Sequence, residues 1–189
     1  MCPGQPIIHP LDPLDLDFTG HFSQADLRQD LTPDMPAGPV ISPDLLIGVV
    51  PVINLEWIQK LWRDKHMRGY TTEAVADTIL RRMPDYVNFI CPQFTHTHVN
   101  FQRVPVVDTS NPFISRDIPS PDESMVVIRF AQPKGIDFQY LHNMIDGSWM
   151  SRANTIVVPG GKMELAMQLI FTPFIWRMVE RRKRALGLA

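Results

Sequence analysis

A largely apolar run, LLIGVVPVI at positions 45–53, most constrains how this chain can fold. Its β-branched residues and continuous hydrophobicity predict a strand that is buried on both faces of a sheet. An amphipathic helix follows at about 54–68 and ends at Gly69. A strand that leads directly into a helix is typical of α/β proteins, so we place the start of the folded domain, 45–189, at this run.

The alternation of strands and helices continues to the end of the chain. A second helix begins after Thr71, a suitable N-cap with Glu73 in the first turn, and Pro84 should kink or restart it. Further strands are expected at 98–107, 124–130 and 154–160, a short helix at 137–146, and a long helix at about 162–184.

Residues 1–44 have a different composition from the rest of the chain. They hold eight of the 18 prolines and seven Asp, with one Arg and neither Lys nor Glu. Prolines at this density block helices and sheet ladders, and one-sided charge opposes a packed core. We therefore expect a disordered N-terminal tail, in which only SQADLRQDL (23–31) suits a short helix.

Bulk properties exclude several classes of protein. The net charge of −2 argues against a nucleic-acid binder. The sequence contains no run of about 18 apolar residues, so no membrane span is predicted. The N-terminus lacks the pattern of a secretory signal. Two cysteines give no disulfide framework. The expected location is the cytoplasm.

The polar side of the 54–68 helix allows two interpretations. At 100° per residue, Lys60, Arg63, Asp64 and Arg68 project from the flank opposite the apolar residues. Clustered cations suit a transferring phosphoryl group, and an acid among them could bind Mg²⁺ or order the cations. Alternatively, Asp64 and Arg68 form an ordinary i,i+4 pair on a solvated face.

Two other motifs are weaker. Gly160 and Gly161 precede Lys162, but the phosphate-loop pattern G-x-x-x-x-G-K-[ST] does not occur in the sequence, so a turn before a helix is expected. His96 and His98 in THTH, near Cys91, lack a third metal ligand at convincing spacing, so we expect ordinary surface or strand histidines.

The stretch KLWRDKHMRGYTTE (60–73) resembles the characteristic motif of phosphoribulokinases. The matching positions are Lys60, Leu61, Arg63, Asp64, Arg68, Gly69, Thr71 and Glu73. The likeness to the shorter, bacterial type extends over about 44–184. It implies part of a P-loop-kinase-like mixed α/β sheet flanked by helices. It also implies phosphorylation of ribulose 5-phosphate by ATP with Mg²⁺ to ribulose 1,5-bisphosphate in the Calvin cycle, by a homo-oligomeric enzyme.

The resemblance also implies roles for individual residues. Lys60 and Arg63 would act on the ATP phosphates, Asp64 would be an active-site acid serving the metal or ordering the cations, and Arg68 would hold the sugar phosphate. Arg129 and Arg152 match arginines linked to activation by NADH. Arg82 matches a basic position linked to the effector or the subunit interface.

The resemblance leaves part of the family pattern unmatched. Full-length members carry a P-loop and a general-base aspartate before the segment that corresponds to residue 45, and residues 1–44 do not resemble that part. We expect the C-terminal portion of a phosphoribulokinase, with residues 1–44 a remnant, the product of a frame change or an unrelated leader. The alternatives are a non-catalytic oligomerisation or regulatory module and an unrelated α/β domain.

Overall fold

The computed structural model of the chain describes residues 44–115 and 117–188. The expected tail and its short helix at 23–31 lie outside the described residues. The described residues contain five strands: β1 (Ile47–Pro51), β2 (Val99–Pro105), β3 (Ser124–Phe130), β4 (Trp149–Arg152) and β5 (Thr155–Pro159). The α-helices are α1 (Ile53–Arg68), α2 (Thr72–Asp85), α3 (Phe138–Met144) and α4 (Met163–Ala185).

The strands form one mixed sheet in the order β1-β2-β3-β5-β4. β1 pairs with β2 in parallel, and the other neighbours are antiparallel. The predicted α/β fold with a mixed, helix-flanked sheet is confirmed. Sequence analysis missed β4, whose four residues are all exposed and so lack the alternation that identifies a half-buried strand.

The main core lies on one face of the sheet. Alternate residues of the central strands, including Phe101, Ile128 and Ile156, are fully buried there against α3 and α4. Aromatic pairs join the layers, because Phe101 packs on Phe171 of α4 and Phe130 meets Phe138 of α3 edge-on. No helix of the described portion is long and apolar enough to cross a membrane.

The expectation that the first strand is buried on both faces is wrong. β1 lies at the edge of the sheet, and within the described residues it pairs only with β2. Ile47 and Val49 remain 40% and 55% exposed, although they register with the fully buried Val99 and Phe101. A short apolar run indicates that its side chains are hydrophobic, but it does not show which strands will lie beside it. The run therefore cannot distinguish an edge strand from a central one.

Helices α1 and α2 form a hairpin beside the sheet. Gly69 ends α1 in the left-handed conformation at φ 72°, and the Thr71 hydroxyl accepts a hydrogen bond from the Ala74 amide, as an N-cap does. A small core of Leu61, Val75 and Ile79 holds the helices together. The expected boundaries at Gly69 and Thr71 are therefore confirmed.

The chain does not restart a regular helix after Pro84. The helix continues through this proline to Asp85 and then widens into a π-helical turn, Tyr86–Ile90, and a 3₁₀ turn, Cys91–Thr95. Proline has no backbone N–H, so it cannot donate the hydrogen bond that continues a regular α-helix. The helix type changes soon after this missing bond.

Candidate functional site

The polar residues of α1 converge on one buried carboxylate. Asp64 is only 3% exposed. Its Oδ2 accepts a hydrogen bond from Lys60 Nζ at 2.6 Å, and its Oδ1 accepts from Arg68 Nη1 at 2.9 Å and Arg63 Nε at 3.1 Å. All four predicted residues of this helix are thus brought together.

Their arrangement follows from helical spacing. Lys60, Asp64 and Arg68 are four residues apart, so they lie along one stripe of α1. Arg63 adjoins the stripe and reaches Asp64 from the side. The ordinary i,i+4 pair between Asp64 and Arg68 is present. However, its carboxylate is buried and shared among three cations, unlike a pair on a solvated face.

The site carries an excess of positive charge. The hydrogen bond from Lys60, with further contributions from Arg63, holds the pKa of Asp64 below its usual range against the opposing effect of burial. Asp64 is therefore ionised at neutral pH, and one negative charge faces three positive ones. The parts of Lys60, Arg63 and Arg68 that remain accessible can bind an anion.

A cleft of about 510 Å³ runs between α1 and α2 beside this cluster. Lys60, Asp64 and Arg68 line its α1 wall, and Arg82 and Tyr86 line the opposite wall. Burial and the neighbouring Glu56 carboxylate raise the pKa of Tyr86 to about 12, so its hydroxyl stays protonated at neutral pH.

Sequence analysis did not select Glu56 or Tyr86. Glu56 precedes Lys60 by one helical turn and extends the same stripe, a signal that was available in the sequence. Tyr86 enters the cleft only because α2 folds back along α1, and no local pattern contains that information.

Arg129 and Arg152 lie on the sheet and not in the cleft. Arg129 on β3 and Arg152 on β4 each register with Thr155 of the intervening strand β5. Both arginines are exposed. Of the three arginines assigned to an effector, Arg82 is thus separated from the other two by its place in the fold.

The cluster does not fit a divalent cation bound at Asp64. Both carboxylate oxygens already accept hydrogen bonds from cations, which would repel a metal ion. Within residues 44–115 and 117–188, no group of three or more His, Cys, Asp or Glu side chains could hold a metal. This arrangement favours the second expected role of Asp64, the ordering of cations.

Of the weaker motifs, the glycine pair has the turn that was expected before a helix, whereas the expectation of surface or strand histidines is wrong. Gly160–Lys162 is a 3₁₀ turn that leads into α4. His96 and His98 are both buried, and His98 Nδ1 accepts a hydrogen bond from the Leu46 amide, 2.9 Å away. Cys91 is a free, exposed thiol.

Comparison with known proteins gives a consistent result. The model of the phosphoribulokinase / uridine kinase family matches residues 41–110. The chromosomal phosphoribulokinase of Cupriavidus necator is 86% identical over 143 residues, which are 76% of this chain and 49% of that protein. The phosphoribulokinase of Nitrobacter vulgaris is 73% identical over 142 residues, or 75% of this chain and 49% of that protein.

A solved structure agrees with these sequences. The phosphoribulokinase from Rhodobacter spheroides superposes with a TM-score of 0.71 at 71% identity, over 74% of this chain and 50% of that one. The chain thus spans about half the length of the relatives that it matches.

Proposed function

This chain is a phosphoribulokinase-family sequence over about three quarters of its length, and from this premise we propose that its α1–α2 cleft handles phosphate groups in an ATP-dependent sugar kinase. The substrate is ribulose 5-phosphate and the product ribulose 1,5-bisphosphate, which places the reaction in the Calvin cycle. The observation that carries this proposal is the set of three cations held around the buried Asp64 carboxylate.

The chemistry of phosphoryl transfer explains why such a cluster is useful. Negative charge spreads over several oxygens of the transferring group, so catalysis depends on prepositioned positive charge. Lys60 and Arg63 provide that charge for the ATP phosphates. Because Asp64 fixes the cations before substrate arrives, they need little reorganisation during the reaction.

Arg68 has a different role in this proposal. It lies two turns beyond Lys60 on the same stripe, at the end of α1 that adjoins Gly69. A guanidinium can offer a phosphate two parallel hydrogen bonds, which a lysine ammonium does not reproduce. We assign Arg68 to the phosphate of ribulose 5-phosphate.

Kinases of this family depend on ATP and magnesium. Since the Asp64 cluster does not fit a metal, we assign no metal ligand within the described residues, and Mg²⁺ would enter with ATP. Arg129 and Arg152 are proposed to bind NADH as an activator, which is supported by their exposed positions flanking β5. A homo-oligomeric, cytoplasmic enzyme remains part of the proposal.

A second candidate is a non-catalytic oligomerisation or regulatory module derived from the same enzyme. It is favoured by the position of β1 at the edge of the sheet within the described residues, and by the absence of a P-loop pattern from the sequence. A module of this kind would join intact subunits or bind the effector without transferring phosphate.

The proposed role of Arg68 can be tested in a hybrid enzyme. In it, the part of this chain that aligns with the Cupriavidus necator phosphoribulokinase replaces the matching segment of that protein. Arg68→Ala should raise KM for ribulose 5-phosphate well above its effect on KM for ATP. Lys65→Ala is the matched control, because Lys65 is an exposed cation of α1 that does not line the cleft. Equal effects of Arg68→Ala on both KM values would refute the assignment.

A further inference from the structure

Arg82 stands on the wall of the cleft that faces the cation cluster. It is exposed on α2, where it lines the same cleft as Lys60, Asp64 and Arg68. None of the ion pairs found in residues 44–115 and 117–188 involves Arg82. Its guanidinium is therefore not committed to a carboxylate, whereas the three cations of α1 share Asp64.

The hairpin sets the level at which Arg82 meets α1. Tyr86 on the α2 side lies next to Glu56 near the start of α1. Lys60 is one turn after Glu56, and Arg82 is one turn before Tyr86. Since α2 folds back along α1 after the turn at Gly69, the two helices run in opposite directions. The step from Glu56 to Lys60 and the step from Tyr86 to Arg82 are each about 6 Å, and both lead toward the Gly69 end of the hairpin. Arg82 thus belongs to the Lys60 end of the cleft, away from Arg68.

The charges at this end favour an anion. Glu56 contributes one negative charge beside Tyr86, and Asp64 contributes another that Lys60, Arg63 and Arg68 already surround. With Arg82 included, three cations and two carboxylates line the cleft, and Arg63 adds a fourth positive charge through its contact with Asp64. A phosphate group between Lys60 and Arg82 would be contacted from both walls and would bring the walls together.

We propose that Arg82 is an anion-binding residue of the α1–α2 cleft that, with Lys60, contacts a phosphate group of the nucleotide. This inference rests on the proposed function and deepens it. It assigns Arg82 to the phosphate cleft and not to the effector or the subunit interface, the roles that the resemblance implies, while Arg129 and Arg152 remain on the sheet.

The test is equilibrium dialysis of the 189-residue chain against labelled inorganic pyrophosphate, with a chelator present to remove divalent metals. Arg82→Gln should weaken binding about tenfold, the loss expected for one charge-assisted hydrogen bond. Arg81→Gln is the matched control, since it removes the same charge from the neighbouring, exposed position outside the cleft. It should change the dissociation constant less than about twofold.

A second measurement separates a local role from a folding defect. In the hybrid enzyme, Arg82→Gln should raise KM for ATP more than KM for ribulose 5-phosphate. The inference is overturned if wild-type chain binds no pyrophosphate, if Arg81→Gln weakens binding as much as Arg82→Gln, or if Arg82→Gln has no effect. If Arg82→Gln has no effect while Arg68→Ala still raises KM for ribulose 5-phosphate, the inference fails and the proposed function stands. If neither Arg82→Gln nor Arg68→Ala has its expected effect, both the inference and the proposed function are refuted.

Discussion

At the scale of single residues, Asp64 is the centre of the account. It accepts hydrogen bonds from Lys60, Arg63 and Arg68 while nearly excluded from solvent. A buried carboxylate is stable only when its charge is compensated. The same contacts that stabilise Asp64 hold the cations in place, so structure and proposed chemistry depend on one side chain.

The lowered pKa of Asp64 gives a pH-dependent contribution to stability. A carboxylate with a lowered folded-state pKa stabilises the protein above its unfolded pKa of about 3.9, and this contribution is lost as the pH falls through the folded pKa. We expect Asp64→Asn to lower the free energy of unfolding by about 1–2 kcal/mol at pH 7. The difference from wild type should shrink below about pH 4.

Urea unfolding at pH 7 and pH 3, at one fixed protein concentration, measures this difference. Asp77→Asn is the control, because Asp77 is an exposed aspartate of α2. A destabilisation by Asp64→Asn that is equal at both pH values would contradict the ionic role of Asp64.

At the scale of elements, the turn between α1 and α2 determines whether the cleft forms. Gly69 has a positive φ of 72°, and an added Cβ there would meet nothing within 4 Å. Any cost of Gly69→Ala is therefore conformational rather than steric, and we expect about 1 kcal/mol of destabilisation.

Gly187→Ala provides a matched comparison for Gly69→Ala. Gly187 has a similar φ of 67° with equally open surroundings, but it follows α4 near the chain end. Chain ends open locally at little cost, so Gly187→Ala should destabilise less when both are measured by urea unfolding. Equal losses of unfolding free energy at the two positions would show that the turn between α1 and α2 contributes no more to stability than the turn after α4.

The elements also show how far sequence reasoning reaches. The strand at 124–130 and the helix boundaries at Gly69 and Thr71 were predictable because their signals are local: a short apolar run rich in β-branched residues, a glycine at a helix end and an N-cap threonine. The exposure of β1 and the existence of β4 were not, because both depend on neighbours in the sheet. The helical wheel grouped the cations of α1, but the burial of Asp64 and the approach of Arg82 depend on how α2 folds back.

At the scale of the whole molecule, the edge of the sheet is the main feature. β1 has one described neighbour, and its side chains Ile47 and Val49 are exposed on the face that carries the core. An unpaired strand edge with apolar side chains promotes pairing with other chains. The C-terminal half of α4 adds exposed Ile175, Trp176 and Val179.

We therefore expect the purified 189-residue chain to associate and to lack ATP-dependent phosphorylation of ribulose 5-phosphate. The sequence as printed has no P-loop pattern to bind the β-phosphate. A coupled assay for ribulose bisphosphate and light scattering after gel filtration measure the two properties. A monodisperse monomer would contradict the expected association. Turnover within about tenfold of the Cupriavidus necator enzyme, roughly 1.4 kcal/mol in the barrier, would contradict the second.

The central claim is that the Asp64 cluster acts on phosphate groups during transfer, and the most direct test is kcat of the hybrid enzyme with and without Asp64→Ala. We expect the hybrid to phosphorylate ribulose 5-phosphate and the variant to lose kcat by orders of magnitude with modest changes in KM, the pattern of a group that acts in the transition state. Thermal unfolding of both proteins verifies that the variant is folded. A folded variant whose kcat stays within about threefold of the hybrid, roughly 0.7 kcal/mol, would make Asp64 a structural ion pair and contradict the account.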